Sequence, residues 1–358
     1  MNHWKMLCCL ATMTALGAAQ PTFAQQGPVA GETVEGSLAG KSMTFASWGG
    51  IFQEGQMKAL EDFVAKSGVT LYEDGPAEQS KVKAQVESGN VLWDVVVTSN
   101  YLPFVECGKL FLKLDFSKID VSKVPEGQVG ECSVPAMNYG TLLMYNKDTY
   151  GDNPPTSWAD FFDTEKFPGK RAIPGYSDAE GFIVELAFLA EGMKQEDMFP
   201  ADIDRALDKY RAMRDDLILW TTGAESEQLM ESGEADMVMG WTGRGLNAIR
   251  NGANFAPVWK DWVVVKDQVV VPVGVKDPDA SFALINAYLG AEAQAKFTEV
   301  TSYSPINVDA KPQLDELGAS FLSTAPDKLA QAYEQNIPYW VEHYDELLSK
   351  WAEFLAGN

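Results

Sequence analysis

The sequence is poor in histidine, cysteine and basic charge. Its 358 residues include two His and four Cys, and 51 acidic side chains against 28 basic ones give a formal net charge of −23 at pH 7. Because an acidic surface repels nucleic acid and anionic lipid, we exclude both as partners. Beyond residue 24 the one histidine is His343, and no potential ligands cluster around it in the sequence. We therefore predict neither a metal site nor a cofactor.

Motifs of common enzymes are also absent from the sequence. There is no Gly-x-Ser-x-Gly elbow, no His-Glu-x-x-His pair, no Gly-x-x-x-x-Gly-Lys-Ser/Thr loop, and no Gly-x-Gly-x-x-Gly after the first predicted strand. His343 lies in a helix-forming stretch, where we expect it to be exposed rather than catalytic. We predict a protein that is not an enzyme and has no catalytic residues, although the scattered Asp and Glu leave a carboxylate pair open.

The N-terminus has the order of a secretory signal peptide. Lys5 precedes an apolar run over residues 6–19, and a Thr-Phe-Ala sequence follows the run. A membrane anchor needs about 20 apolar residues, more than this run supplies. Cys8 and Cys9 lack the small neighbour that a lipid-attachment site usually has. We predict that residues 1–24 are a cleaved signal peptide and that the mature protein is periplasmic.

Two cysteines follow the predicted signal peptide, Cys107 and Cys132. An even number of cysteines in an oxidising compartment predicts a disulfide between them. The alternative is a pair of buried free thiols. The bond would close a loop of roughly 25 residues and stabilise the fold by about 3 kcal/mol in the chain-entropy model.

The order of the predicted elements places the chain in the α/β class. Strands and helices alternate over residues 43–97, as in a parallel sheet covered by helices. A second α/β unit follows the boundary at residues 153–156, and extended segments at 262–266 and 268–273 then return the chain. Because a mature chain of this length exceeds the size of one core, we predict a monomer of two lobes joined by extended hinge crossings.

The predicted organisation has six segments. Residues 25–41 are rich in Gln, Gly and Glu without periodicity, which favours a flexible leader. The C-terminal segment carries a stripe of apolar side chains at helical spacing. The segments are the signal peptide 1–24, the leader 25–41, a first part of lobe 1 at 42–147, lobe 2 at 148–267, a second part of lobe 1 at 268–326 and C-terminal helices at 327–358.

Polar and aromatic residues follow several of the predicted strands. In open α/β sheets, ligands bind outside the carboxyl ends of the strands. Aromatic or polar groups from both halves of the chain therefore predict a cleft lined with aromatic side chains. The segments are 48–50, 99–101, 176–178, 221–223, 241–244 and 302–303.

Four segments, two of which overlap these strand ends, carry a family resemblance. In order and spacing the sequence resembles the spermidine/putrescine-binding family of periplasmic proteins over nearly all of residues 42–357. The resemblance implies a type II periplasmic binding protein with two lobes that close on a hinge, serving an ABC importer and its membrane permease. The resembling segments are 156–161, 167–170, 240–244 and 302–307.

The resemblance also implies a set of ligand-binding residues. Trp48 and Trp241 match aromatic walls for the methylenes of a ligand, and Asp267 and Asp178 match carboxylates that bind an amine. An alkylammonium needs both kinds of group, since cation–π attraction contributes about 0.5–2 kcal/mol. A structural role in a salt bridge is the alternative for each acid. The full set is Trp48, Ser99, Tyr101, Asp178, Trp241, Asp267 and Tyr303.

The sequence departs from the polyamine pattern of that family at two positions. Gly181 stands where polyamine binders carry a further Glu, with Glu180 beside it, and Val265 replaces an aromatic residue. Arg244 favours a ligand with a carboxylate, such as an amino acid derivative or an opine; a surface or helix-start arginine is the alternative. A small cationic amine, with polyamines first, remains the leading hypothesis. A receptor in which tryptophans stack on a sugar is another.

Overall fold

The structure is a computed structural model that describes Met1 and residues 27–357. The predicted signal peptide, apart from Met1, lies outside the described residues. The strands are β1 Ser42–Ala46, β2 Thr70–Asp74, β3 Val95–Thr98, β4 Ser133–Pro135, β5 Tyr139–Asn146, β6 Arg171–Pro174, β7 Leu217–Trp220, β8 Met237–Trp241, β9 Phe255–Val265, β10 Gln268–Val270 and β11 Ala332–Glu334.

Helices cover both sheets. No helix among the described residues has the length and apolar character needed to cross a membrane. The helices are α1 Gly50–Ala59, α2 Glu61–Ser67, α3 Gln79–Ser88, α4 Leu102–Val105, α5 Lys147–Tyr150, α6 Trp158–Phe162, α7 Gly181–Ala190, α8 Ile203–Arg211, α9 Gly223–Ser232, α10 Thr242–Arg250, α11 Pro278–Tyr288, α12 Ala291–Thr301, α13 Glu316–Ser320, α14 Pro326–Leu329, α15 Ile337–Glu342 and α16 Tyr344–Leu355.

Two sheets define the two lobes. The sheet of lobe 1 has the strand order β2-β1-β3-β10-β4, and the sheet of lobe 2 has the order β11-β9-β5-β8-β6-β7. In lobe 1, β3 is a fully buried run of β-branched residues, a composition suited to a central strand covered on both faces. Strand β1 pairs in parallel with β2 and β3, whereas β10 pairs with β3 in the antiparallel direction. The predicted α/β class with two lobes is therefore confirmed.

Two extended crossings join the lobes. The chain passes from β4 to β5 through Asn138 and its neighbours, and returns from β9 to β10 through Lys266 and Asp267. The crossings are held together by a hydrogen bond of 2.7 Å from the backbone N–H of Ala136 to the carbonyl oxygen of Asp267. Asp267 therefore lies on the hinge and not within either lobe.

The predicted segment boundaries need three corrections. Strand β5, placed in lobe 1 by the sequence boundary at residue 147, pairs with β8 and β9 in the sheet of lobe 2. The segment after α13 leaves lobe 1 before residue 326, because Phe321 packs on Trp259 of lobe 2 with ring centroids 6.1 Å apart. Residues 332–334, predicted as helix, form β11 because they pair with the edge of β9. Sheet pairing is non-local, so a sequence pattern does not specify it.

The predicted flexible leader packs on lobe 1 over its described part. The backbone N–H of Gly31 donates to the carbonyl of Asn286 at 2.8 Å, and that of Leu38 donates to Ser67 at 2.9 Å. Leu38 itself is buried in the core of the lobe. The flexible prediction is wrong for residues 27–41, since one buried leucine and specific backbone pairing fix a segment that lacks periodicity.

The C-terminal segment contacts both lobes. The indole of Trp340 donates to the buried Glu185 of lobe 2 at 2.8 Å, and the ring of Tyr344 lies 5.3 Å from that of Tyr101 in lobe 1. His343 is partly exposed, with 37% of its side chain accessible. The segment thus connects the lobes in addition to the hinge crossings.

The structure contains the predicted disulfide between Cys107 and Cys132. Both cysteines belong to lobe 1, where the bond ties the turn after α4 to the start of β4. In the described part of the chain, no group of three or more His, Cys, Asp and Glu side chains is arranged to hold a metal ion.

Candidate ligand-binding site

A cavity of about 280 Å³ lies between the two lobes at the carboxyl ends of the strands. Strands of both sheets contribute to it: the segments after β1, β3, β6, β7 and β8 all reach its wall. The hinge crossings close one side. The lining residues are Trp48, Phe52, Pro76, Glu78, Ser99, Met137, Tyr139, Gly175, Tyr176, Ser177, Asp178, Thr221, Thr222, Gly223, Trp241, Arg244, Asp267 and Tyr303.

Asp267 presents a buried carboxylate to the cavity from the hinge. Its Oδ1 accepts a hydrogen bond of 3.0 Å from the hydroxyl of Tyr139, and its Oδ2 accepts one of 2.8 Å from the indole Nε1 of Trp48. Burial raises the pKa of Asp267 to about 7, because a charged carboxylate loses its hydration there, while the two hydrogen bonds oppose the rise. A cation placed beside this carboxylate would favour its ionised form.

Further acids lie near the cavity. Burial, with a smaller contribution from Glu78 of lobe 1, raises the pKa of Asp178, whereas the backbone N–H of Gln79 and the hydroxyl of Ser177 lower it. Glu180, buried behind the wall, accepts a hydrogen bond of 3.4 Å from the hydroxyl of Tyr176. Its Oε2 has no partner among the described residues, and burial raises its pKa far above the ordinary value. These acids make this side of the cavity receptive to positive charge.

Arg244 brings the opposite charge into the same cavity. It lies in the first turn of α10, is 3% exposed, and pairs through Nη1 with Oε2 of Glu227 at 3.2 Å. Its Nη2 donates across the cleft to the carbonyl oxygen of Gly49 at 3.2 Å. The Nε atom is buried and has no partner within the described residues. Arg244 is therefore a helix-start residue, but a surface position is ruled out by its burial.

Six aromatic side chains line the cavity, and several of them pack against one another. Trp241 packs edge-on against Trp220 with ring centroids 5.0 Å apart and against Tyr139 at 6.1 Å. Tyr303 of lobe 1 lies 5.3 Å from Tyr139 and 5.6 Å from Phe52. Rings fixed by their neighbours lose little conformational entropy on binding, so they suit the methylenes of a small ligand.

Six of the seven ligand-binding residues predicted from the sequence line the cavity, and Tyr101 does not. Tyr101 follows β3 but is 1% exposed, and its ring packs on Tyr344 of the C-terminal segment. The turn into α4 directs its side chain into the core of lobe 1 rather than into the cleft. Tyr101 is therefore not part of the cavity wall in this structure.

Several residues that line the cavity were not predicted from the sequence to bind the ligand. Tyr176 and Thr222 lie in the strand-end segments 176–178 and 221–223, which predicted the cleft, but neither residue was among the predicted ligand-binding residues. Tyr139 and Met137 lie on a hinge crossing, at the start of β5 rather than at a strand end. No local pattern identifies them, because their position depends on how the crossing joins two sheets.

The fold and the site define a class of protein: two α/β lobes on a hinge, with a cavity of small-molecule size between them. The chain belongs to the bacterial extracellular solute-binding protein family, whose sequence model matches residues 58–321. It has the two-lobed type II fold of periplasmic binding proteins.

Relatives and solved structures cover nearly the whole chain. A γ-aminobutyric acid-binding protein of Pseudomonas aeruginosa is 28% identical over 325 residues, 88% of this chain and 91% of its own. A spermidine/putrescine-binding periplasmic protein of Haemophilus influenzae is 26% identical, covering 80% of this chain and 84% of its own. The structure of the Atu4243 GABA receptor superimposes with a TM-score of 0.79 at 34% identity, over 89% of this chain and 98% of that one.

Proposed function

We propose that this protein captures a small amine in the periplasm by closure of its two lobes and presents it to the membrane permease of an ABC importer. The family assignment supports capture of a solute, and the related γ-aminobutyric acid-binding and spermidine/putrescine-binding proteins support an amine. The buried carboxylate of Asp267 on the hinge is suited to bind an ammonium group. Binding requires no covalent step, and the solute leaves unaltered.

Within this class we propose a ligand that carries an ammonium group and a carboxylate, with γ-aminobutyrate as the representative probe. The observation that carries the proposal is that Asp267 and Arg244, of opposite charge, line one cavity with aromatic walls. A diamine would place a positive charge beside the guanidinium of Arg244, whose buried Nε has no partner among the described residues. The volume, about 280 Å³, is at the lower end of ligand pockets and suits a short chain.

A polyamine is the second candidate. Asp178 and Glu180 are further acids near Asp267, and burial raises the pKa of both, as expected for acids that lack a cationic partner. A second ammonium group would supply that partner. The absence of a side chain at Gly181 weighs against this candidate, because polyamine binders of the resembling family carry a Glu there.

The test is calorimetric titration with ligands that differ by one group. The ligands are γ-aminobutyrate, butylamine, butyrate, putrescine, spermidine and glucose. We expect γ-aminobutyrate to bind most tightly, and both single-charge analogues to bind at least about tenfold more weakly, the effect of losing one charged contact. Tighter binding of putrescine would favour the second candidate. Binding of glucose alone, or of no amine, would overturn amine capture, and recovery of altered ligand would overturn binding without turnover.

A further inference from the structure

The guanidinium of Arg244 lies between two glycines, one from each lobe. On the side of lobe 2, a Cβ atom built on Gly223 would lie 2.6 Å from Nε of Arg244. On the side of lobe 1, a Cβ atom built on Gly50 would lie 2.9 Å from Nη1 and 3.2 Å from Nη2. Since carbon and nitrogen atoms in contact are about 3.5 Å apart or more, neither position accepts a side chain while the guanidinium is in place.

The guanidinium is not free to move aside. Its Nη1 is paired with Glu227 of the same lobe at 3.2 Å, and its Nη2 reaches Gly49 of the opposite lobe. Glu227 is itself held by the side-chain amide of Asn247. A buried charge that loses a hydrogen-bond partner is costly, so Arg244 keeps its position when the lobes meet.

From this geometry we infer that Gly50 is a positioning residue for lobe closure. Because Gly50 has no side chain, it leaves free the space that the guanidinium of Arg244 of lobe 2 occupies when the lobes close. Gly50 is not among the residues that line the cavity. Any side chain at position 50 would hold lobe 1 away from the guanidinium and break the bond from Nη2 to Gly49. The closed state would then be lost although no residue that lines the cavity has been changed.

The test compares Gly50→Ala with Gly89→Ala. Both glycines belong to lobe 1 and have positive φ, 58° and 67°, so alanine strains the backbone similarly at both. At Gly89 nothing lies within 4 Å of an added Cβ. The two variants should have similar midpoints of thermal unfolding, since the strain is matched.

The first readout is binding of γ-aminobutyrate followed by tryptophan fluorescence, because Trp48 and Trp241 line the cavity. This readout rests on the proposed function, because γ-aminobutyrate is the ligand proposed there. We expect Gly50→Ala to dissociate from γ-aminobutyrate about tenfold faster, as affinity changes within one site appear mostly in the dissociation rate. Gly89→Ala should match the unchanged protein. Equal dissociation rates in Gly50→Ala and Gly89→Ala would overturn the inference.

A double variant separates the effect of a contact between residue 50 and Arg244 from the effect of backbone strain at residue 50. In an Arg244→Ala background there is no guanidinium to receive, so adding Gly50→Ala should weaken binding of butylamine, which has no carboxylate for Arg244 to bind, by no more than about twofold. Retention of the full tenfold effect would show that Gly50 acts through its backbone, and the inference would fail.

The second readout needs no ligand and distinguishes the inference from the proposed function. Spin labels on Lys83→Cys in lobe 1 and Glu234→Cys in lobe 2, both exposed positions, report the separation of the lobes. Gly50→Ala should remove the shorter separations, and Gly89→Ala should not. If γ-aminobutyrate fails to bind the unchanged protein, the proposed ligand is wrong, and the inference then depends on the ligand-free distances. An unchanged distance distribution in Gly50→Ala overturns it.

Discussion

The indole Nε1 of Trp48 donates a hydrogen bond of 2.8 Å to Oδ2 of Asp267. This contact joins an aromatic wall of lobe 1 to the carboxylate of the hinge, and Tyr139 completes the arrangement from the other crossing. The carboxylate is thus oriented before a ligand arrives, which lowers the entropic cost of binding. Because the same carboxylate is buried, its charge depends on pH and on the two donors.

Amine binding should depend on pH through Asp267. The pKa of its carboxyl group is raised to about 7, so the group is protonated at lower pH and cannot pair with an ammonium. Affinity for γ-aminobutyrate should fall by up to about tenfold for each pH unit below the pKa, with proton release on binding. Calorimetry in buffers of different ionisation enthalpy measures both quantities.

The control for that experiment is a matched pair of charge-removing variants. Asp267→Asn should bind the amine weakly at every pH and lose the pH dependence. Asp309→Asn removes one negative charge from an exposed ion pair with Lys123 and should retain both affinity and pH dependence. An affinity that stays constant between about pH 5.5 and pH 8 would contradict the role of Asp267.

Removing either donor to Asp267 should shift the pH dependence upward. Trp48→Phe and Tyr139→Phe each keep an aromatic ring but remove one hydrogen bond that lowers the pKa of Asp267. The midpoint of the affinity against pH should therefore move to higher pH, and more for Tyr139→Phe, whose hydrogen bond has the larger effect. Tyr303→Phe, which removes a hydroxyl near Arg244 in the same cavity, should leave the midpoint unchanged.

Gly223→Ala should select against the carboxylate of the ligand. The added Cβ would lie 2.6 Å from Nε of Arg244 and 2.8 Å from the ring of Trp241, in the space beside the guanidinium. Binding of γ-aminobutyrate should weaken by about tenfold or more, whereas butylamine, which has no carboxylate, should be affected less. Gly240→Ala, where the nearest atom lies 3.4 Å away, is the control. Equal losses for the two ligands would place the carboxylate elsewhere.

The disulfide should contribute to stability and not to binding. Replacing Cys107 and Cys132 by serine opens a loop with a sequence separation of 25 and should lower the free energy of unfolding by about 3 kcal/mol. Neither cysteine lines the cavity, so affinity for γ-aminobutyrate should not change. Urea unfolding with and without reductant measures the stability, and an identical unfolding midpoint would contradict the prediction.

Local patterns predicted a substantial part of the fold. The strands and helices predicted to alternate over residues 43–97 are present as β1, α1, α2, β2, α3 and β3. Patterns failed where the partner of a segment is distant in sequence. The strand at 139–146 falls before the predicted lobe boundary at residue 147, but its hydrogen-bonding partners are β8 and β9 of the other lobe. The leader predicted to be flexible is likewise packed on lobe 1, because Leu38 is buried there.

The sequence by itself determined the α/β class, the pairing of the two cysteines and most of the cavity wall, because strand ends and residue composition are local properties. Tertiary structure alone decided that Tyr101 turns into the core, that Tyr139 orients Asp267, and that Arg244 lies between Gly50 and Gly223. Each of these depends on two segments that meet only after the hinge crossings have brought the lobes together. Close approach between distant backbones leaves no periodic pattern in a sequence, so these contacts appeared only in three dimensions.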